Sequence, residues 1–158
     1  MKKIIGFTIA VCASVLAMNV WAADSNSPVG LWKTIDDVTS KPKAIIEITE
    51  TPAQTLQGTI VKIFPRPGYD QNELCAKCRG PKHNRRIVGM VILEGLRADQ
   101  DNPGRWKGGE ILDPHNGKTY KSTIQLTNNN QKLNVRGYIG LPLFGRSQIW
   151  NRVEKVPE

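Results

Sequence analysis

Short runs in which apolar and polar residues alternate make up most of this chain, and turn residues separate them. In the run from Lys118 to Thr127, every second residue from Tyr120 to Leu126 falls on one mostly apolar face, and the residues between them are charged or polar. A period of two is that of a half-buried β-strand, and almost no segment shows the 3.6-residue period of a helix. The pattern predicts eight strands: Gly30 to Ile35, Lys43 to Glu50, Thr55 to Phe64, Ile87 to Leu93, Arg105 to Leu112, Lys118 to Thr127, Gln131 to Ile139 and Arg146 to Val153.

The links between these strands indicate how they are arranged. Only the connection from Pro65 to about Arg86 is long, and 14 Gly and 10 Pro suit a protein with many turns better than a helical bundle. An eight-stranded meander can close into an up-and-down barrel and so remove its exposed strand edges. We therefore predict one all-β domain, an eight-stranded antiparallel up-and-down barrel within residues 23–158. A sandwich of β-sheets is the alternative, although sandwiches usually need several long crossovers.

The first 22 residues have the pattern of a secretory signal peptide. Lys2 and Lys3 form a positive start, Ile4 to Val20 has no charge, and Ala22 ends a plausible cleavage site. An uncleaved membrane anchor is the alternative. Removing this segment takes away two of the 22 Lys and Arg and none of the 14 acids, which leaves a charge of +6. We expect a periplasmic or secreted protein with no transmembrane segment after cleavage.

Cys75 and Cys78 are the two cysteines that remain after the predicted cleavage. An even pair in an oxidising compartment favours a disulfide. Zinc bound with His83 and His115, a redox dithiol and free thiols are the alternatives, but neither a second close Cys pair nor a βαβ setting is evident. We predict a local disulfide, with no metal and no cofactor.

The long connection, residues 65–86, is rich in basic residues. It carries six Lys or Arg against two acids. A basic rim that meets an anionic ligand or the surface of the cell envelope is one interpretation, and a solvated loop is the other. Nucleic acid is not an expected partner, because aromatic residues do not alternate with basic ones on a sheet face.

Two further segments allow more than one interpretation. Asp113 and His115 could form an acid–base pair, but they lie in a Pro–Asn-Gly turn where such side chains commonly bond to the local backbone. No catalytic residue is therefore assigned, and an enzyme is only the third hypothesis. The link Gly140 to Gly145 is apolar, which suggests a lid over a barrel end, a guide for an apolar ligand or a plug that packs into the core.

Trp32 follows Gly30 at the start of the first predicted strand. A Gly-x-Trp in this place, with a basic residue in the last strand, resembles the closing arrangement of lipocalin-like barrels. In those barrels an Arg packs over the Trp, and Arg152 or Arg146 could do so here. An ordinary core Trp is the alternative.

A broader resemblance runs from about residue 29 to residue 153. It is carried by Gly30-Leu31-Trp32-Lys33-Thr34, by Gly109 to Pro114 with Asn116 to Tyr120, by Val135 to Gly140, and by Gly145 to Gln148 with Trp150, Arg152 and Val153. In this order the blocks resemble the DUF2147 family of exported bacterial proteins. The resemblance implies a small lipocalin-like barrel, but it indicates neither an activity nor a catalytic residue.

The inward faces of the sixth and seventh predicted strands are apolar with a sparse hydroxyl, which is typical of a pocket for apolar ligands. We expect a small apolar or amphipathic molecule to bind inside the barrel. A structural or interaction module of the envelope with a filled barrel is the alternative. The candidate ligand-binding residues are Trp32, Tyr120, Ile124, Val135, Gly137 and Ile139.

Overall fold

A computed structural model describes residues 26–67 and 70–158, so the predicted signal peptide lies outside the described residues. Within these ranges no helix is long and apolar enough to cross a membrane. Two short 3₁₀ helices, Gly80–Lys82 and Pro142–Phe144, lie in the links between strands. The strands are β1 Gly30–Ile35, β2 Pro42–Glu50, β3 Leu56–Ile63, β4 Val91–Ala98, β5 Arg105–Asp113, β6 Lys118–Thr127, β7 Lys132–Tyr138 and β8 Arg146–Val153.

Each strand pairs antiparallel with the next one in sequence, and β1 pairs with β8 to close the barrel. The prediction of an eight-stranded antiparallel up-and-down barrel is confirmed. Closure places Trp32 of β1 opposite Arg152 of β8. Since every strand has two neighbours, the sheet has no free edge.

One predicted strand is displaced along the chain. β4 spans Val91–Ala98, whereas the apolar run predicted Ile87 to Leu93. Gly95 has a φ of +78°, and the strand passes through it to the buried Leu96. This local departure breaks the alternation that marks a strand in the sequence. Ile87 and Met90 are buried as well, but they belong to the end of the long connection.

The alternation of strand direction gives the barrel two different ends. We call the end with links 36–41, 64–90, 114–117 and 139–145 the upper end, and the end with links 51–55, 99–104 and 128–131 the lower end. Large buried side chains fill the lower half of the interior: Ile48, Leu56, Leu96, Leu126, Leu133 and Trp150. These side chains close the lower half, so the upper end is the candidate opening. The buried cluster also continues upward through Ala44 and Ile63 to the long connection.

Candidate functional site

An arginine closes the lower end over a tryptophan. Trp32 is fully buried, and its Nε1 donates to the carbonyl oxygen of Pro28 at 2.7 Å. The Arg152 guanidinium lies 4.3 Å from the centre of the Trp32 ring. A planar cation above an indole face combines packing with a cation–π attraction.

The same guanidinium also bonds to the backbone around it. Arg152 donates to the carbonyl oxygens of Ser27 at 2.7 Å, Asn130 at 2.8 Å and Val29 at 3.0 Å. Burial lowers the pKa of Arg152 from its ordinary value, but a guanidinium keeps its charge in a protein. A Cβ at Gly30 would lie 3.1 Å from Arg152 Nη1, which gives a physical reason for the Gly-x-Trp pattern. The structure thus brings Trp32 together with Arg152 and not with Arg146.

The upper half of the interior has a different lining. Its inward positions follow from the strand register, in which Ser122 lies opposite Gly137 and Val135 lies opposite Gln148. Ile63 and Ile111 supply apolar surface there. The remaining inward residues are small, polar or charged and form what we call the mouth: Thr34, Ala44, Tyr120, Ser122, Gly137, Arg146 and Gln148.

Ser122 is the innermost polar residue of the mouth. It is fully buried, and its register neighbours on both sides are glycines, Gly109 and Gly137. The Leu96 side chain covers Gly109, since a Cβ there would lie 2.5 Å from Leu96 Cγ. The Ser122 hydroxyl has no hydrogen-bond partner among the described residues. A buried hydroxyl without a partner costs about 1–3 kcal/mol, so Ser122 is the polar group of the mouth whose hydrogen-bonding capacity is unused within the described residues.

The other polar groups of the mouth already have partners. Gln148 donates to Asp37 Oδ2 at 3.0 Å and accepts from Trp150 Nε1 at 3.4 Å. Arg146 also pairs with Asp37. Asp37 and Gln148 were missed by the sequence analysis, because a link residue and a strand residue 111 positions apart meet only once the barrel closes. The inward alternation along the last strand was the available signal for Gln148.

The predicted ligand-binding residues occupy four different places. Tyr120 and Gly137 lie together in the mouth, since a Cβ at Gly137 would be 3.5 Å from Tyr120 Cβ. Ile124 and Val135 are paired one layer deeper and belong to the buried core, and Trp32 lies at the lower end. The inward placement of Ile139 is wrong: β7 ends at Tyr138, and Ile139 is 68% exposed on the upper rim.

The cysteines hold the long connection against the barrel. Cys75 and Cys78 form a disulfide, as predicted, and both are buried in the core cluster. Cys75 Sγ lies 3.4 Å from the carbonyl oxygen of Pro114, in the β5–β6 turn. The disulfide segment of the long connection therefore packs against the β5–β6 turn, so two links of the upper end are in contact.

Thiol labelling of the purified protein without reductant should modify neither Cys75 nor Cys78. The pair is bonded and buried, so alkylation should begin only after reduction under unfolding conditions. Mass spectrometry before and after reduction measures the added label. Stoichiometric labelling of the native, unreduced protein would contradict this prediction.

The Asp113 segment is an ordinary turn in its geometry. Asp113 Oδ1 accepts from the backbone N–H of His115 at 2.9 Å, and its Oδ2 accepts from Asn116 Nδ2 at 2.9 Å. Asn116 Nδ2 also donates to the Tyr120 hydroxyl at 3.0 Å, which fixes that ring at the mouth. Both carboxylate oxygens of Asp113 thus serve the turn. No group of three or more His, Cys, Asp or Glu suited to a metal ion occurs in residues 26–67 and 70–158.

The apolar link between β7 and β8 does not pack into the core. Leu141, Leu143 and Phe144 are 64%, 80% and 76% exposed, so the interpretation as a plug is wrong. The basic connection, by contrast, lines an open groove of about 590 Å³ next to the first residue of β4. This groove is lined in part by Lys82, Arg85 and Arg86.

These features define a class of protein: a lipocalin-like barrel that is closed at one end by a Trp–Arg pair. The chain belongs to the family described as an uncharacterized protein conserved in bacteria (DUF2147), whose model matches residues 30–152. It is similar in structure to protein HP1028 from the human pathogen Helicobacter pylori, which belongs to the lipocalin family. That match has a TM-score of 0.67 and 21% identity over 81% of this chain and 84% of the other. A comparison with curated proteins finds no match.

Proposed function

We propose that this protein is exported and binds one small apolar or amphipathic molecule in the mouth of its barrel. The observation that carries the proposal is the buried Ser122 hydroxyl, which faces the interior and has no partner among the described residues. A lipocalin-like barrel is compatible with such a role, and the structural similarity to a lipocalin-family protein supports it. The signal-peptide pattern of residues 1–22 and the disulfide support export to the periplasm or beyond.

The mouth indicates what kind of molecule would fit. Its floor is apolar, because Ile124 and Val135 lie below Ser122 and Gly137. Its polar groups other than Ser122 are largely occupied by protein partners, so a ligand would find one hydroxyl to bond with and apolar surface elsewhere. A hydrocarbon chain with a single carbonyl, hydroxyl or carboxyl group matches this lining.

Titration with a fluorescent fatty acid tests the proposal. We expect Ser122→Ala to weaken uptake about 3- to 10-fold, the effect of losing one hydrogen bond of about 0.5–1.5 kcal/mol. Gly137→Leu should reduce uptake more strongly, because its side chain would extend from the wall into the mouth. Gly137→Ala should bind like the wild type, since its Cβ would make only ordinary contacts, the nearest at 3.4 Å.

Thr119→Ala is the matched control for Ser122. It removes a hydroxyl from the same strand, but from an exposed residue on the outer face. Its uptake should equal that of the wild type. If the wild-type barrel takes up no apolar probe and native mass spectrometry of protein from the envelope shows no bound molecule, the proposal fails. The filled-barrel envelope module, which the large side chains of the lower half favour, would then replace it.

A further inference from the structure

The most exposed apolar side chains of the described residues lie together at the upper end. Val38 is 90% exposed and lies in the β1–β2 link, and the others lie in the β7–β8 link. These two links are neighbours, because β1 pairs with β8 and Arg146 pairs with Asp37. Among the described residues, no other large apolar side chain is more than 46% exposed. We call this set the apolar rim: Val38, Ile139, Leu141, Leu143 and Phe144.

The β7–β8 link is held in the conformation that exposes these side chains. Arg136 donates to the carbonyl oxygens of Pro142 at 2.8 Å and Leu143 at 3.2 Å, and to Ser147 Oγ at 2.9 Å. Backbone carbonyls that already have partners can enter a less polar environment at lower cost. The apolar rim is therefore an ordered surface in which two backbone carbonyl oxygens already accept hydrogen bonds from Arg136.

The same end of the barrel is positively charged. The β3–β4 link carries six Lys or Arg against two acids. The side chains of four of these cations make no hydrogen bond or ion pair among the described residues: Lys77, Arg79, Arg85 and Arg86. The links of the lower end contain no Lys or Arg, and Lys107 pairs with both of their acids, Asp99 and Asp101. The exposed apolar side chains and the unpaired positive charge thus share one end.

We propose that the upper end of the barrel docks on an anionic phospholipid bilayer. The apolar rim enters the interface between headgroups and acyl chains. Four cations of the β3–β4 link, which we call the basic loop, contact the lipid phosphates: Lys77, Arg79, Arg85 and Arg86. The groove beside Arg85 and Arg86 offers one place for such a phosphate. Docking turns the mouth of the barrel toward the membrane. This inference goes beyond the proposed ligand, because a docked barrel needs no molecule inside it.

A second copy of the chain is a poorer occupant of this surface. A symmetric dimer through the apolar rim would bring the upper ends of the two copies face to face, and the two basic loops near that interface would repel each other. A bilayer that contains phosphatidylglycerol has an apolar interior that can accept the apolar rim and a negative surface that can pair with the cations of the basic loop. Charge complementarity therefore favours the membrane.

Co-sedimentation with vesicles tests the docking surface. The wild-type protein, residues 23–158, should sediment with vesicles of phosphatidylcholine and phosphatidylglycerol, and much less with phosphatidylcholine alone or at high salt. Leu143→Ser with Phe144→Ser should weaken binding about 100-fold through lost apolar burial. Arg85→Ala with Arg86→Ala should weaken it about 30-fold. The side chains of Leu143, Phe144, Arg85 and Arg86 are all exposed, so both double variants should fold.

Two controls locate the surface on the molecule. Ile149→Ser removes an exposed apolar side chain from β8, and Lys132→Ala removes a cation at the lower end of β7, so neither should change sedimentation. Equal binding by all variants, or none by the wild type, would overturn the inference. So would a rim variant that only abolishes a wild-type dimer in analytical ultracentrifugation. Sedimentation is measured without a probe, and Ser122→Ala should sediment like the wild type, so failure of docking and failure of ligand binding are distinguishable.

Discussion

Replacing Trp32 by Ala should lower the free energy of unfolding by about 3–5 kcal/mol, the cost found when a large aromatic side chain is removed from a core. Trp32 is fully buried, its Nε1 bonds to Pro28, and Arg152 lies against its ring. The variant loses this packing and leaves the guanidinium over a cavity. Urea denaturation followed by circular dichroism measures the change.

Trp32→Phe is the matched variant, because it keeps most of the buried ring and removes only the indole N–H. We expect it to cost less than half as much as the alanine variant, with about 1 kcal/mol from the lost hydrogen bond. An alanine variant with the unfolding midpoint of the wild type would show that Trp32 does not close the lower end.

Gly117→Ala should destabilise the barrel by about 3 kcal/mol or more through the upper end. Gly117 has a φ of +71°, and a Cβ there would lie 1.8 Å from the carbonyl oxygen of Lys77. That oxygen belongs to the backbone of the disulfide segment, so it cannot move aside as the end of a flexible side chain could. The segment must leave the β5–β6 turn before an alanine fits.

Gly140→Ala separates backbone strain from this collision. Gly140 has the same φ of +71°, but a Cβ there would meet nothing within 4 Å. It should cost only about 1–2 kcal/mol, the penalty of a left-handed conformation in a residue with a side chain. Thermal unfolding of the two variants, measured side by side, gives the comparison. If the two variants lost equal stability, the disulfide segment would not be in close contact with the β5–β6 turn.

Much of the fold could be predicted from the sequence, because the period-two pattern and the turn residues are local signals. The run from Lys118 to Thr127 coincides with β6, and the Asn-Gly of its preceding turn marks the positive φ at Gly117. The sequence pattern does not locate β4 correctly, because Gly95 interrupts the alternation inside the strand. A local pattern cannot distinguish a strand that continues through such a glycine from one that ends before it.

The candidate site was less accessible to sequence reasoning, because it depends on contacts between distant residues. The alternation along β7 reaches Ile139 in the sequence, but the strand ends one residue earlier and Ile139 turns out to the rim. The bond between Asp37 and Gln148 forms only through pairing of the first and last strands. Trp32 and Arg152 could be matched because a known closing arrangement resembles them.

The pairing of β1 with β8 also determines when this chain can finish folding. The two strands lie at opposite ends of the described sequence, so their contact closes nearly the longest loop available and contributes to a high contact order. Until the last residues of β8 are in place, β1 and β7 each present an unpaired strand edge that another chain could extend. Once β8 has paired with β1, Arg152 can form its hydrogen bonds to the carbonyl oxygens of Ser27, Val29 and Asn130. Completion of the barrel therefore waits for its C-terminal strand, and a chain that stops short of Arg146 would keep two edges open to aggregation.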